Sequence, residues 1–279
     1  MASRTKFGEA DDSFRAPLDT NELHPKDYGL RREILSPMET LAQSVSIIAP
    51  TATIPLVCAL AGNGTWLAYV LATVAILLVA WCVGRFARYS SSPGSLNSYA
   101  SMILPPWLSS IAAWSLLLAY VGTASSVIGG LDQYAAIFVG KPGVHPVVAV
   151  LISLLVTGVS IWIACRDVKV SARLMLWIEA TCVFMIITLV ALVLVHHGFH
   201  IDSEQLRLRG MTGSGLRLGL VLTLFSFVGF ESATTLGAEA RNPLKTIHRA
   251  VIQSSIVGGT FFAVCAYTEV LGFRAVGRI

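Results

Sequence analysis

Long apolar runs separated by short polar ones dominate the chain from about residue 38 onward. Each run is continuous rather than alternating, so the pattern predicts helices and not barrel strands. A helix needs about 20 apolar residues to cross the hydrocarbon of a bilayer. Seven stretches fit: 38–61, 66–86, 107–138, 147–164, 173–195, 216–236 and 250–271. The third is overlong and predicts tilting or extension beyond the bilayer. Connections 87–106 and 196–215 have room for interfacial helices or flaps, whereas 62–65 is only a turn. The expected fold is an all-α integral membrane domain of about seven transmembrane helices over residues 38–279, preceded by a polar, flexible cytoplasmic tail over 1–37.

Two of the seven runs are interrupted. In the first, Ala49, Pro50, Thr51, Ala52, Thr53 and Pro55 set prolines and hydroxyls where an unbroken helix is expected. Proline removes a backbone donor and clashes with the preceding turn, so the span opens there and its freed polar groups need partners. In the sixth, Phe225, Ser226, Phe227, Gly229, Phe230, Glu231 and Ser232 place a glycine and a carboxylate at similar depth. Paired interruptions in corresponding positions of two halves point to the binding site of a secondary transporter. They lie five spans apart, and an odd repeat enters the membrane upside down. The expected architecture is therefore an inverted repeat with discontinuous spans 1 and 6, its first copy over about 38–195 and its second starting at about 216. Because the chain ends at Ile279, two spans into the second copy, the expectation is the N-terminal portion of a larger transporter, with further helices supplied by a longer chain or a partner.

Composition agrees with the pattern. The 279 residues are 54 % hydrophobic and 13 % charged, with a mean hydropathy of +0.70, which excludes an ordinary soluble domain. With the N-terminus inside, fourteen of the twenty Lys and Arg residues fall in cytoplasmic segments, so the positive-inside rule predicts that orientation. The basic residues orient the chain and leave no nucleic-acid footprint. Five cysteines stand singly in apolar runs and read as small core residues. His196, His197 and His200 have an i, i+4 spacing suited to zinc on a helix, but read better as solvated histidines at a helix end, so neither a metal nor a cofactor is expected. No nucleophile–base set or phosphate loop argues for an enzyme. The sequon at Asn63 lies too near the bilayer to carry weight.

At the two interruptions, Ala49 to Thr53 together with Ser226, Phe227, Gly229, Phe230 and Ser232 read as a substrate site of half-helix ends, amides facing a carboxylate and open carbonyls facing an ammonium or ion. The alternative is a proline kink with Ser/Thr bonding back along its own helix. Tyr120, Thr123, Ser125 and Ser126 lie mid-span at helical spacings and either line the pathway or permit close packing. Glu231 sits in an apolar span and needs compensation; it reads as a gate beside the aromatic lid candidate Phe225, or as a hydrogen-bonded structural group. Glu179, two turns into the fifth span, reads as a coupling residue that carries a proton or neutralises a cation, or as a carboxylate paired with Arg173 or Lys169.

The run from Phe225 to Ala233, followed by the segment from Leu236 to Ala250, resembles the sixth span of amino acid-polyamine-organocation permeases. The segment Ser92 to Tyr99 is similar to that family's proline-glycine-tyrosine segment between spans two and three, and the broken first span sits at the expected place. The resemblance covers nearly everything after residue 38. It implies the fold of the bacterial leucine transporter and proton-coupled, sodium-coupled or exchange transport of amino acids across the plasma membrane, or else of polyamines and other organic cations. It also implies the gate role at Glu231; at Glu179 some proton-coupled members carry lysine. Departures are Ala49, Pro50 and Thr51 where many members are glycine-rich, Ser95 for a frequent glycine, and His248 for the usual proline. A non-transporting membrane fragment is the remaining alternative.

Overall fold

A computed structural model describes residues 35–47, 50–90, 92–139, 145–165, 168–198, 202–237 and 239–275. Helix α1 (Pro37–Ile47) opens on a reciprocal cap. The Glu39 carboxylate accepts from the Ser36 N–H at 2.8 Å, and the Ser36 hydroxyl accepts from the Glu39 N–H at 3.3 Å, with Pro37 at the first helical position where its missing donor costs nothing. Helix α2 (Pro50–Ala61) carries Pro55 inside it. Helices α1 and α2 are the described parts of the first apolar run, and Ile48 and Ala49 between them lie outside the described residues; Pro50 and Pro55, expected to open the span, both lie within the helix α2.

By hydropathy and length, Thr53–Phe86 is one apolar stretch of 34 residues. It is folded in two by a 3-10 turn, Gly62–Gly64, entered at φ +52° by Gly62. The Thr53 hydroxyl lies 3.2 Å from that of Tyr69, sixteen residues on, where a straight helix would separate their backbones by about 24 Å. The chain then continues as α3 (Thr65–Phe86), α4 (Ser95–Ser101), α5 (Pro106–Val139), α6 (Pro146–Ala164), α7 (Val168–His196), α8 (Ser203–Leu206), α9 (Gly213–Ser226) and α10 (Pro243–Ala275), with a 3-10 segment at Ser232–Leu236. The seven runs read from the sequence correspond to α1 with α2, α3, α5, α6, α7, α9 with the 3-10 segment, and α10. At 34 residues, α5 is about 50 Å long against a hydrocarbon thickness of about 30 Å. The two long connections hold the short helices α4 and α8.

The core lies where α3 and α10 pack along their lengths, with α1, α2 and α9 against them. Phe262 of α10 meets Phe227 edge to face at 5.0 Å and Tyr69 at 5.3 Å, and all three rings are fully buried. By contrast, the apolar spanning windows of α5, α6 and α7 bury none of their residues and present Leu117, Leu154 and Phe184 outward, a surface suited to lipid or further helices. The two broken spans are packed crosswise: α1 touches the 3-10 segment and α2 touches α9. First half meets second half in both cases.

Candidate functional site

The sixth span stops being a helix at Ser226. Residues 227–231 form turns, and Gly229 adopts φ +98°, a region that side chains bearing a Cβ rarely enter. Three residues around this break, Ser226, Ser232 and Ala233, tie it by hydrogen bonds to the two helices of the first span. On the α2 side, the Ser226 hydroxyl is 2.6 Å from that of Thr53 and 3.3 Å from that of Tyr69, and also donates to the Leu222 carbonyl at 3.1 Å. On the α1 side, Ser232 donates to the Gln43 carbonyl and the Ala233 N–H donates to the Ser44 hydroxyl, both at 2.9 Å. Thr53, Ser226 and Ser232, expected at a site, are thus brought to one junction. Ala49 lies outside the described residues; Pro50, Thr51 and Ala52 are described only as part of α2.

Glu231 is 7 % exposed. Its carboxylate accepts from the Tyr120 hydroxyl of α5 at 3.4 Å and lies against its own backbone N–H and that of Gly229. These donors supply the compensation that a carboxylate at this depth needs, and they bring two of the expected residues together. Phe230 is buried and its carbonyl accepts from Ser254. Phe227 is a core residue, whereas Phe225 is 47 % exposed on α9. On α5, Thr123 and Ser125 donate to carbonyls of their own helix, Ala119 and Val121, at 2.8 Å each, and Ser126 is exposed. Glu179 has no hydrogen-bond or ion partner among the described residues; Arg173 instead reaches Glu39 of α1 at 3.7 Å, and the Lys169 side chain lies outside them.

Several contributors carry little or no signal in the sequence. Tyr69, Gln43 and Ser44 are revealed only by their partners. Glu269 meets the same criterion as Glu179 and Glu231, a carboxylate within a spanning helix, and stands close enough to Cys58, Cys265 and Tyr69 to act on each electrostatically. Apolar clefts of about 280 and 420 Å³ flank α4, and neither is lined by a residue of the two breaks. In the first, the Tyr99 ring stacks on Phe86 at 5.9 Å, and burial pushes its hydroxyl up to about 12, so it stays neutral at physiological pH.

At the opposite end of the bundle, Arg274 pairs with Asp202 at 2.6 Å and donates to Asn63, whose amide donates to the Arg209 carbonyl at 2.6 Å. Both polar ends of the sequon asparagine are engaged within the protein. His196 is exposed, His197 sits edge-on to it, and His200 lies outside the described residues.

A family model described as amino acid permease matches residues 35–272. Among relatives, a methylthioribose transporter of Bacillus subtilis (strain 168) is 25 % identical over 87 % of this chain and 56 % of its own length. The branched-chain amino acid permease BcaP of Lactococcus lactis subsp. cremoris (strain MG1363) is 25 % identical over 83 % of this chain and 54 % of its own. A low-affinity putrescine importer, PlaP, of Escherichia coli (strain K12) is 24 % identical over 76 % and 47 %. The chain spans about half the length of these relatives. With the match running from the cap of α1 almost to the end of α10, this chain belongs to the amino acid permease family.

Proposed function

We propose that the protein serves secondary active transport of amino acids across the plasma membrane, by alternating access around the junction of the two broken spans. The observation that carries this reading is the crosswise bonding of α1 and α2 to the two halves of span six, with Glu231 held beside them by Tyr120. Freed backbone groups at such a junction suit the carboxylate and ammonium of an amino acid. Glu231 and Phe225 act as the gate, Glu179 couples movement to a proton or ion, and the charge distribution sets the N-terminus in the cytoplasm. A buried carboxylate at the junction also favours a second reading, a polyamine or other organic cation as substrate, in line with the putrescine importer among the relatives. Competition in proteoliposomes separates the two: inhibition of labelled leucine uptake by neutral amino acids and not by putrescine supports the first, the reverse supports the second, and no uptake of either counts against transport by this chain.

A further inference from the structure

The inner ends of α3 and α10 are joined through one histidine whose protonation state the neighbours dictate. The His248 Nδ1 lies 2.7 Å from the Gly84 carbonyl, and its Nε2 lies 2.7 Å from Nη2 of Arg88. A carbonyl only accepts and a guanidinium only donates. The ring must therefore be neutral, with its proton on Nδ1 and a free lone pair on Nε2. Gly84 is part of the fit, since a Cβ there would stand 2.6 Å from Nδ1.

We propose that His248, Arg88 and Gly84 form a proton-sensitive clasp between α3 and α10, closed when the imidazole is neutral and opened when it takes up a proton. A second proton can enter only at Nε2, where the resulting N–H faces a guanidinium with no acceptor to offer. Arg88 is then expelled, and the ring becomes a further positive charge in an already basic neighbourhood. On the surrounding elements the charged groups are Arg85 in the last turn of α3 and Arg88 just beyond it, Glu39 of α1 paired with Arg173 of α7, Glu239 and Arg241 before α10, and Lys245 and Arg249 in the first turns of α10, with Glu179 of α7 and Glu269 and Arg274 of α10 further along their helices. Among the described residues, Arg88 is the charged group within hydrogen-bond distance of the ring. Because residues 237–242 connect α10 directly to the 3-10 half of span six, opening the clasp loosens the inner edge of the broken span. That this edge faces the cytoplasm rests on the orientation proposed above; the clasp does not.

The sign follows from the geometry. The native contact requires the neutral ring, so its stabilisation is present while the imidazole is unprotonated and is lost as falling pH protonates it. In nanodiscs, the apparent unfolding temperature should fall between pH 8 and pH 5.5 by about 2–4 °C more in the unsubstituted protein than in His248→Gln, which offers one acceptor and one donor but cannot be charged. Equal slopes in the two proteins overturn the proposal. Nitrogen-15 NMR of histidine-labelled protein provides a readout independent of that variant's folding. At pH 8 the signal assigned to His248 should show the Nδ1–H tautomer and shift on Arg88→Ala; an Nε2–H tautomer, or a charged ring at pH 8, overturns it.

Discussion

The hydroxyl of Thr53 stands 2.6 Å from that of Ser226, 173 residues away in the chain, and Tyr69 closes a triangle with both. That triangle fastens the second half of span one and the next span to the first half of span six. In an apolar surrounding an unpaired hydroxyl is costly, yet measured interhelical hydrogen bonds in membranes are modest, because the unfolded chain also finds partners. A double-mutant cycle of Thr53→Val and Ser226→Ala, followed by reversible unfolding in mixed micelles, should give a coupling of about 0.6 kcal/mol. Strict additivity of the two losses would count against an energetic bond.

Ser95 occupies φ +53° and hydrogen-bonds Thr234 in the 3-10 segment of span six, a pairing buried on both sides. The hydroxyl offsets the strain of a conformation that suits glycine. Ser95→Ala keeps the strain and loses the bond, so stability should drop by about 1–2 kcal/mol; Ser95→Gly loses the bond but relieves the strain and should cost less. Thermal unfolding of the two variants side by side gives the ranking, and a glycine variant weaker than the alanine variant contradicts this account.

Glu231→Gln preserves shape and most hydrogen bonding while removing the charge. If the carboxylate meets a substrate ammonium, affinity should weaken by about tenfold, equivalent to about 1.4 kcal/mol, with the fold retained. Tyr120→Phe removes a single 3.4 Å contact and should weaken binding less. Equilibrium binding of a labelled amino acid to each purified variant gives both numbers, and unchanged affinity in Glu231→Gln removes the gate assignment.

Glu179 lies within the spanning stretch Arg173–His196 with no ion partner among the described residues. As the coupling residue, it should give uptake a pH dependence that Glu179→Gln flattens. Uptake rates across external pH 5 to 8 in proteoliposomes check this, and an unaltered profile in the variant rules out the carrier role.

The interruption of span six was legible because glycine and a carboxylate are chemically conspicuous in an apolar run, whereas Pro50 and Pro55, expected to open span one, lie within the helix α2; the five-span offset between the two runs carried an expectation of inversion. The reversal at Gly62–Gly64 was legible as a turn even though hydropathy alone merges Thr53–Phe86 into one stretch. Partnerships were not legible. Tyr69 looks like any aromatic residue in a spanning helix until the fold sets it beside Thr53 and Ser226. Ser95 and His248 stood out as departures from the family pattern, but their bonds run to Thr234 and to Gly84 and Arg88, 139 to 164 residues away, a separation no local spacing encodes. Thr123 and Ser125 had the right depth for a pathway, yet their hydroxyls bond back along their own helix, the ordinary fate of such residues in membranes.

Substrate protection of single cysteines tests the central claim most directly. In a background with the native cysteines replaced by serine or alanine, cysteine is placed in turn at Thr53, at Ser232 and, as a reference, at Ser126 on the exposed face of α5, and alkylation is timed with and without saturating amino acid. The account predicts slower labelling at Thr53 and Ser232 when substrate is present and no change at Ser126. Equal rates at all three positions, in protein shown to bind the same amino acid, would place the substrate away from the two breaks.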